Sequence, residues 1–149
     1  MTARDILKDE TLLRSVQDHA MKWFPDEACG LLIEGPDGPS VELAENLADK
    51  YHTLDPDSYP RTARTSYLLD PLLLANVERR GGRVVAIFHS HVRVGAYFSD
   101  EDVLQAMSPF GEGPLYPGIE YLVLDAQDDG VLGYKLFSWN QDGKEFQET

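Results

Sequence analysis

Two histidines one residue apart, His89 and His91, are followed by Ser99 and Asp102 and preceded at a distance by Glu27. On an extended strand, side chains two positions apart project from the same face. Their imidazoles can therefore offer two neutral nitrogens to one metal ion. Asp102 adds a hard oxygen ligand and leaves one position open. Three protein ligands plus water is the arrangement of a catalytic zinc, whereas a structural zinc is closed by four protein ligands. Zinc held this way lowers the pKa of its water from 15.7 to about 7, which makes hydrolysis the expected chemistry.

Hydrolysis of a peptide-type carbonyl also needs a general base and a donor for the developing oxyanion. Glu27, at the entrance of the apolar run Cys29-Gly30-Leu31-Leu32-Ile33, is the candidate base, with Asp26 and Glu34 as rivals. Ser99 is the candidate oxyanion donor. It is also an ordinary helix N-cap, three residues before Asp102 and ahead of Val103 and Leu104. The two roles are compatible, because a capping hydroxyl accepts through oxygen and keeps its proton. Ser90 points to the opposite strand face from the ligands and reads as structural, although its side, with Tyr97 and the Asn46–Thr65 stretch, also supplies candidate substrate contacts. In a shuffled chain of this composition the pattern of two histidines, serine and aspartate would arise roughly 5 times in 10,000.

The elements that must hold these residues follow from periodicity. Leu12, Leu13, Val16, Ala20, Trp23 and Phe24 recur at helical steps, predicting a helix over Glu10–Phe24 stopped by Pro25. His19 beside this stripe reads as a surface or half-buried residue. Cys29–Ile33 predicts a buried strand, turned by Gly35-Pro36-Asp37-Gly38 into Val41–Ala44. Asn46–Thr65 reads as a long loop, with His52 solvated in it. Tyr67-Leu68-Leu69 reads as a short strand, and Asp70-Pro71 opens a helix ending at Gly81-Gly82. Val84–Phe88 predicts a central strand carrying His89 and His91 at its C-terminal end. Val92–Phe98 is loop and Ser99–Met107 a short helix. Tyr121–Leu124 and Val131–Phe137 are strands, and the last ten residues are expected to fray. The fold class is α/β, a mixed sheet flanked by helices.

Composition narrows the functions. At 149 residues the chain reads as one domain, residues 1–149, and its 42% apolar content is that of a folded globule. Thirteen basic against 26 acidic residues give a net charge of −13. That disfavours nucleic acid, whose recognition needs clustered Lys and Arg. The one basic cluster, Arg79-Arg80 with Arg83, reads as cations at a helix C-terminus. The acidic balance favours a partner with a basic face. A single cysteine, Cys29, excludes an internal disulfide, and no run approaches the ~18 apolar residues of a spanning helix, so no membrane association and a cytoplasmic location are expected.

Glu27 with His89-Ser90-His91, Ser99 and Asp102 resembles the JAMM (MPN-plus) metallopeptidase motif: glutamate, then His-Ser/Thr-His, seven residues, serine, two residues, aspartate. Glu27-Ala28-Cys29-Gly30-Leu31-Leu32 is similar to the E-x-C-G-L-L strand of compact prokaryotic members, and Ala96-Tyr97-Phe98-Ser99 to their A-x-P-S segment. The resemblance covers about Leu12 to Phe137. It implies a cytidine-deaminase-like JAMM/MPN fold and a zinc held by His89, His91, Asp102 and water. It also implies Glu27 as acid/base, Ser99 at the oxyanion, and cleavage after the C-terminal tail of a ubiquitin-like or sulfur-carrier protein. Val92 and Phe98 replace the usual prolines, from which a looser loop is expected. Two rival functions are a non-catalytic MPN scaffold and a thiol hydrolase using Cys29. The latter is disfavoured because a thiol inside an apolar strand is usually inert packing.

Overall fold

The β-branched run Val84–Phe88 forms the middle of the longest buried strand, β3 (Arg83–Val92), in a computed structural model that describes residues 1–149. Around it the chain builds α1 (Ala3–Leu7), α2 (Glu10–Trp23), β1 (Cys29–Gly35), β2 (Gly38–Ala44), α3 (Ala48–Leu54) and α4 (Leu72–Arg79). After β3 come α5 (Asp100–Ala106), β4 (Glu120–Gln127), β5 (Gly130–Asn140) and β6 (Glu145–Glu148). The six strands form one mixed sheet in the order β2-β1-β3-β4-β5-β6. Four of its pairings are antiparallel and β3–β4 is parallel. A parallel pair needs a crossover, and here it runs through α5. The C-terminal end of β3 therefore opens directly into the crossover, and His89 and His91 lie at that opening.

Strand alternation divides the core into two layers. Leu32, Val85, Phe88, Leu122, Leu124 and Leu136 pack on one side with Ile6, Leu7 and Val16 of α1 and α2. Cys29, Leu31, Ile87, Tyr121, Val123 and Phe137 pack on the other with Tyr67, Leu74 and Val77 of the α4 region and Ala106 of α5. Gly30 has no room for a side chain, because a Cβ would lie 2.2 Å from Glu42 O and 2.5 Å from the Phe88 ring. His19 is buried in this structure, contrary to the sequence expectation. Its Nε2–H donates to Cys29 O and Ala44 O at 3.2 and 3.0 Å, clasping β1 and β2 to α2. No helix is long and apolar enough to cross a membrane.

The N-terminus, for which the sequence carries no expectation, forms α1, begun by a Thr2–Asp5 capping box. Three other expectations are corrected. The Asn46–Thr65 stretch contains α3. Tyr67-Leu68-Leu69 is not a strand: Leu68 N–H donates to Asn46 Oδ1 at 3.1 Å and its carbonyl accepts from Leu47 N–H at 2.9 Å. The C-terminus does not fray but forms β6 on β5, with Phe146 packed against Trp139, Tyr121 and Phe98.

Candidate metal centre

Register sets the site. Cys29 pairs with His89 across the antiparallel β1–β3 ladder. One step further, Ser90 N–H donates to Ala28 O at 3.0 Å, and Ala28 N–H donates to Ser90 Oγ at 2.8 Å. This pins the segment before β1 to the histidine strand and leaves Glu27 across from His91. Ser90 is fully buried. It cannot touch a substrate, so its place among the candidate contacts is withdrawn and the structural reading stands.

Asp102 comes from the first turn of α5. Ser99 caps that helix: its Oγ accepts from Asp102 N–H at 3.1 Å, and Asp102 Oδ2 accepts from Ser99 N–H at 3.0 Å. The capping box thus fixes the aspartate that reaches back to β3. Asp102 Oδ1 lies 3.1 Å from His89 Nε2, and Oδ2 lies 3.1 Å from His91 Nε2. All three side chains are buried. Donor atoms on a tetrahedron with metal bonds of 2.0–2.1 Å stand about 3.3 Å apart, so the spacing suits one small cation.

The donor set could hold a cation. Nδ1–H of His91 donates to Gly95 O at 3.1 Å, and its Nε2 is hydrogen-bonded with Asp102 Oδ2 at 3.1 Å, the pair of atoms that a metal ion would bridge in place of a proton. Holding the far ring nitrogen on a backbone carbonyl is how metal-binding histidines are oriented. Neither ring nitrogen of His89 has a hydrogen-bond partner, although both are fully buried. Its approach to Asp102 is close but not aligned as a hydrogen bond. Buried polar atoms are almost always partnered, and a metal ligand is one of the few reasons for an exception. Burial, opposed by Asp102, keeps the His89 pKa below its ordinary value, so a proton is a poor substitute for a metal there. Asp102 is pushed up by burial, but His89, His91 and the Ser99 N–H outweigh that and hold it well below the carboxylate range.

Glu27 is buried beside this cluster, and burial together with the charge of Asp102 pushes its pKa up to about 9, against the pull of Arg61. Glu27, His91, Tyr97, Ser99 and Asp102 line one cavity of about 380 Å³ that opens to solvent. Tyr97 is half exposed at its rim, edge-on to His91 with ring centroids 4.7 Å apart. Asp26 instead pairs with Arg64 at 2.9 Å, and Glu34 with Arg83 at 3.1 Å; neither lines the cavity. His52 is held away from it, its Nδ1–H donating to Tyr59 O at 2.7 Å. Cys29 is buried, and burial with the charge of Glu27 pushes its thiol up to about 12, so no thiolate is at hand.

Sequence reasoning missed three supports. Tyr67 stacks on His89 with ring centroids 4.4 Å apart, orienting the imidazole that lacks a hydrogen bond. Asn46 is buried; its amide donates to Glu27 O at 2.8 Å and Ser66 O at 2.9 Å, and its Oδ1 accepts from Ala48 N–H and Leu68 N–H. Its bond to Ala48 is an Asx turn, a signal available in the position of an asparagine just after an alternating strand. Phe98 inserts its ring among Tyr121, Phe137 and Phe146, at 5.3, 5.3 and 5.0 Å. That anchors the Val92–Phe98 loop by packing, where the missing prolines had led to the expectation of a looser segment. Val92 itself is still in β3, paired with Ala126.

Residues 9–132 match the Prok-JAB family, the prokaryotic homologs of the JAB domain. The fold is similar to the solution structure of the protein DSY2949 from Desulfitobacterium hafniense, at 23% identity and TM-score 0.62, covering 93% of this chain and 86% of that one. It is also similar to the solution structure of a protein from Salinibacter ruber, at 22% identity and TM-score 0.58, covering 95% of this chain and 86% of that one. At these identities the likeness is one of fold. No curated protein matches the chain.

Proposed function

The chain belongs to the prokaryotic JAB-domain family, and from that membership we propose that it is a zinc-dependent metallopeptidase. Its substrate on this reading is a ubiquitin-like or sulfur-carrier protein in the cytoplasm, cleaved at an amide bond at its C-terminus. The observation that carries the reading is the convergence of His89, His91 and Asp102 on one point, with a buried imidazole that has no other partner. Those three residues would hold the ion. When bound, it supplies Lewis acidity, making water acidic and the amide carbonyl electrophilic.

The chain's own groups do the rest. Glu27 accepts a proton from water and returns it to the leaving amide nitrogen, so the C–N bond breaks as the C–O bond forms. An acid/base must both take and release its proton near neutral pH. Burial and Asp102 lift Glu27 to about 9, and a cation held by His89, His91 and Asp102 would pull it back towards that range. Ser99 uses its oxygen to accept from Asp102 N–H, which leaves its O–H free to donate into the cavity towards the oxyanion. Tyr97 at the rim supports an extended tail passing over His91.

The test is to incubate the zinc-loaded protein with a ubiquitin-like carrier bearing a C-terminal amino-acid or protein adduct, with and without a chelator, and read the intact mass. The adduct is lost in the zinc arm alone, and not with Glu27→Gln. A carrier that binds but keeps its adduct in every arm would instead make the protein a scaffold.

A further inference from the structure

We infer that a second cavity, lined by Tyr67 and Tyr121, is a binding site for a small uncharged aromatic carbonyl compound, its oxygen accepting from the two phenol hydroxyls. The site is separate from the metal centre and stands or falls independently of the hydrolase reading.

Two buried phenols carry the inference. Tyr67 and Tyr121 keep only 5% and 2% of their surface exposed. Neither hydroxyl has a hydrogen-bond partner in the protein, yet neither is sealed in as the ring nitrogens of His89 are. The exposure they keep is on a cavity of about 200 Å³ that both residues line. Buried hydroxyls are nearly always bonded, so two free ones turned into one cavity mark a place for an acceptor. Burial lifts both phenols above their ordinary pKa, helped by Asp102 at Tyr67 and by Tyr116 at Tyr121. Both therefore stay protonated and able to donate at neutral pH.

Size and polarity set the class of ligand. Most of the wall is apolar, with Leu69, Leu74 and Ile87 among its residues. An apolar cavity of about 150 Å³ holds benzene, so this one has room for a ring with a short substituent. It shares Pro71, Leu74, Leu115 and Tyr116 with a neighbouring groove of about 610 Å³, which supplies an entry path. Gln105, the polar wall residue besides the tyrosines, already donates to Ser66 Oγ at 3.3 Å. No Lys, Arg, His, Asp or Glu lines the cavity. An ion would lose its hydration there without gaining a counter-ion, so the acceptor must be uncharged. The metal centre is not part of this site. None of Glu27, His89, His91 and Asp102 lines it, and Tyr67 stands between, its ring stacked on His89.

The probe is acetophenone, titrated into the intact chain without added metal and again with zinc, and followed by backbone amide NMR shifts. It binds saturably at millimolar concentration in both arms and moves the amides of Leu69, Gln105 and Tyr116. Toluene, which lacks the oxygen, binds about tenfold more weakly. Benzoate and benzylamine, both charged at neutral pH, also bind more weakly than acetophenone. In Tyr67→Phe/Tyr121→Phe, which keeps both rings, acetophenone falls to the level of toluene. No saturable binding, equal affinities for acetophenone and toluene, or tighter binding of either ion overturns the inference. So does binding that needs zinc, shifts confined to the metal cavity, or a preference that survives the double substitution. Should that variant fail to fold, the ranking of the four probes on wild type decides alone. No arm involves turnover, so a protein that cleaves nothing leaves the site standing.

Discussion

The floor of the cavity and its rim are built in different ways. The floor, His89, His91 and Asp102, is buried, and each side chain is set by a regular element: the β3 ladder for the histidines and the α5 capping box for the aspartate. The rim, residues 61–65 and 93–98, is irregular backbone tied down by scattered contacts. Arg93, at a positive φ of 66°, forks onto Asp128 at 2.7 and 3.0 Å, Gly95 accepts from His91, and Phe98 plugs into an aromatic cluster. A periodic element fixes the chemistry, and the contacts around it decide what reaches that chemistry. Changes in the floor should therefore abolish function, whereas changes in the rim should grade it.

The largest effect is expected from Asp102→Ala. Bound zinc, measured by elemental analysis after dialysis, falls from about one per chain to near zero, and cleavage falls to background. The residue also closes the cap of α5, so this variant melts lower by about 1 kcal/mol. Asp102→Asn keeps an acceptor for Ser99 N–H and separates the two losses. Full zinc in either variant would break the assignment of the floor.

Next is Glu27→Gln, which should lower the rate by about 10²–10⁴ with zinc retained. It should also stabilise the metal-free protein. The folded-state pKa of Glu27, about 9, lies above its ordinary value of 4.5, so between those values the folded state binds the extra proton. Stability linked to this group is whole below about pH 4.5 and is lost as pH rises towards 9. Glutamine removes that loss. The melting temperature of the chelated variant should thus exceed that of chelated wild type by a gap that widens with pH, reaching a few kcal/mol, at about 2–4 °C for each. A gap that is flat or narrows with pH would show that Glu27 is not a desolvated carboxylate.

Ser99→Gly stands between floor and rim. It removes the hydroxyl but costs the helix cap only a few tenths of a kcal/mol. An oxyanion donor lost in this way slows turnover by about 10²–10³. A melting temperature near wild type together with a full rate would reduce Ser99 to its cap alone.

The same division explains what was legible in the sequence. Val84–Phe88 reads as a central strand because a β-branched run buried on both faces has few other fates. The ligand triad reads from its spacing because strand and capping box both impose fixed periods. Asn46, Tyr67, Arg61 and Arg64 carry no such period. They reach the site through hydrogen bonds, ion pairs and ring packing between segments 19 to 40 residues apart. β6 escaped notice for a related reason: its four residues are polar apart from Phe146, whose partners Phe98, Tyr121 and Trp139 are brought to it only by the finished sheet. α1 and α3 are only five and seven residues long, too short for a periodic signal.

The smallest effect, and the sharpest test of the rim, is Gly95→Ala. Gly95 has φ of +89°, and a Cβ there would meet nothing within 4 Å. The substitution therefore adds backbone strain of about 1–2 kcal/mol with no clash. The strain is relieved by moving the peptide whose carbonyl holds His91 Nδ1–H at 3.1 Å. Losing an outer partner of this kind weakens metal binding about tenfold, against near-total loss from the floor. Competition with a chromophoric chelator reads that ratio directly. His89 supplies the internal control, since its orientation comes from the Tyr67 stack and not from the loop. Unchanged zinc affinity in Gly95→Ala would mean that packing alone holds both histidines, and the loop would then serve only the substrate.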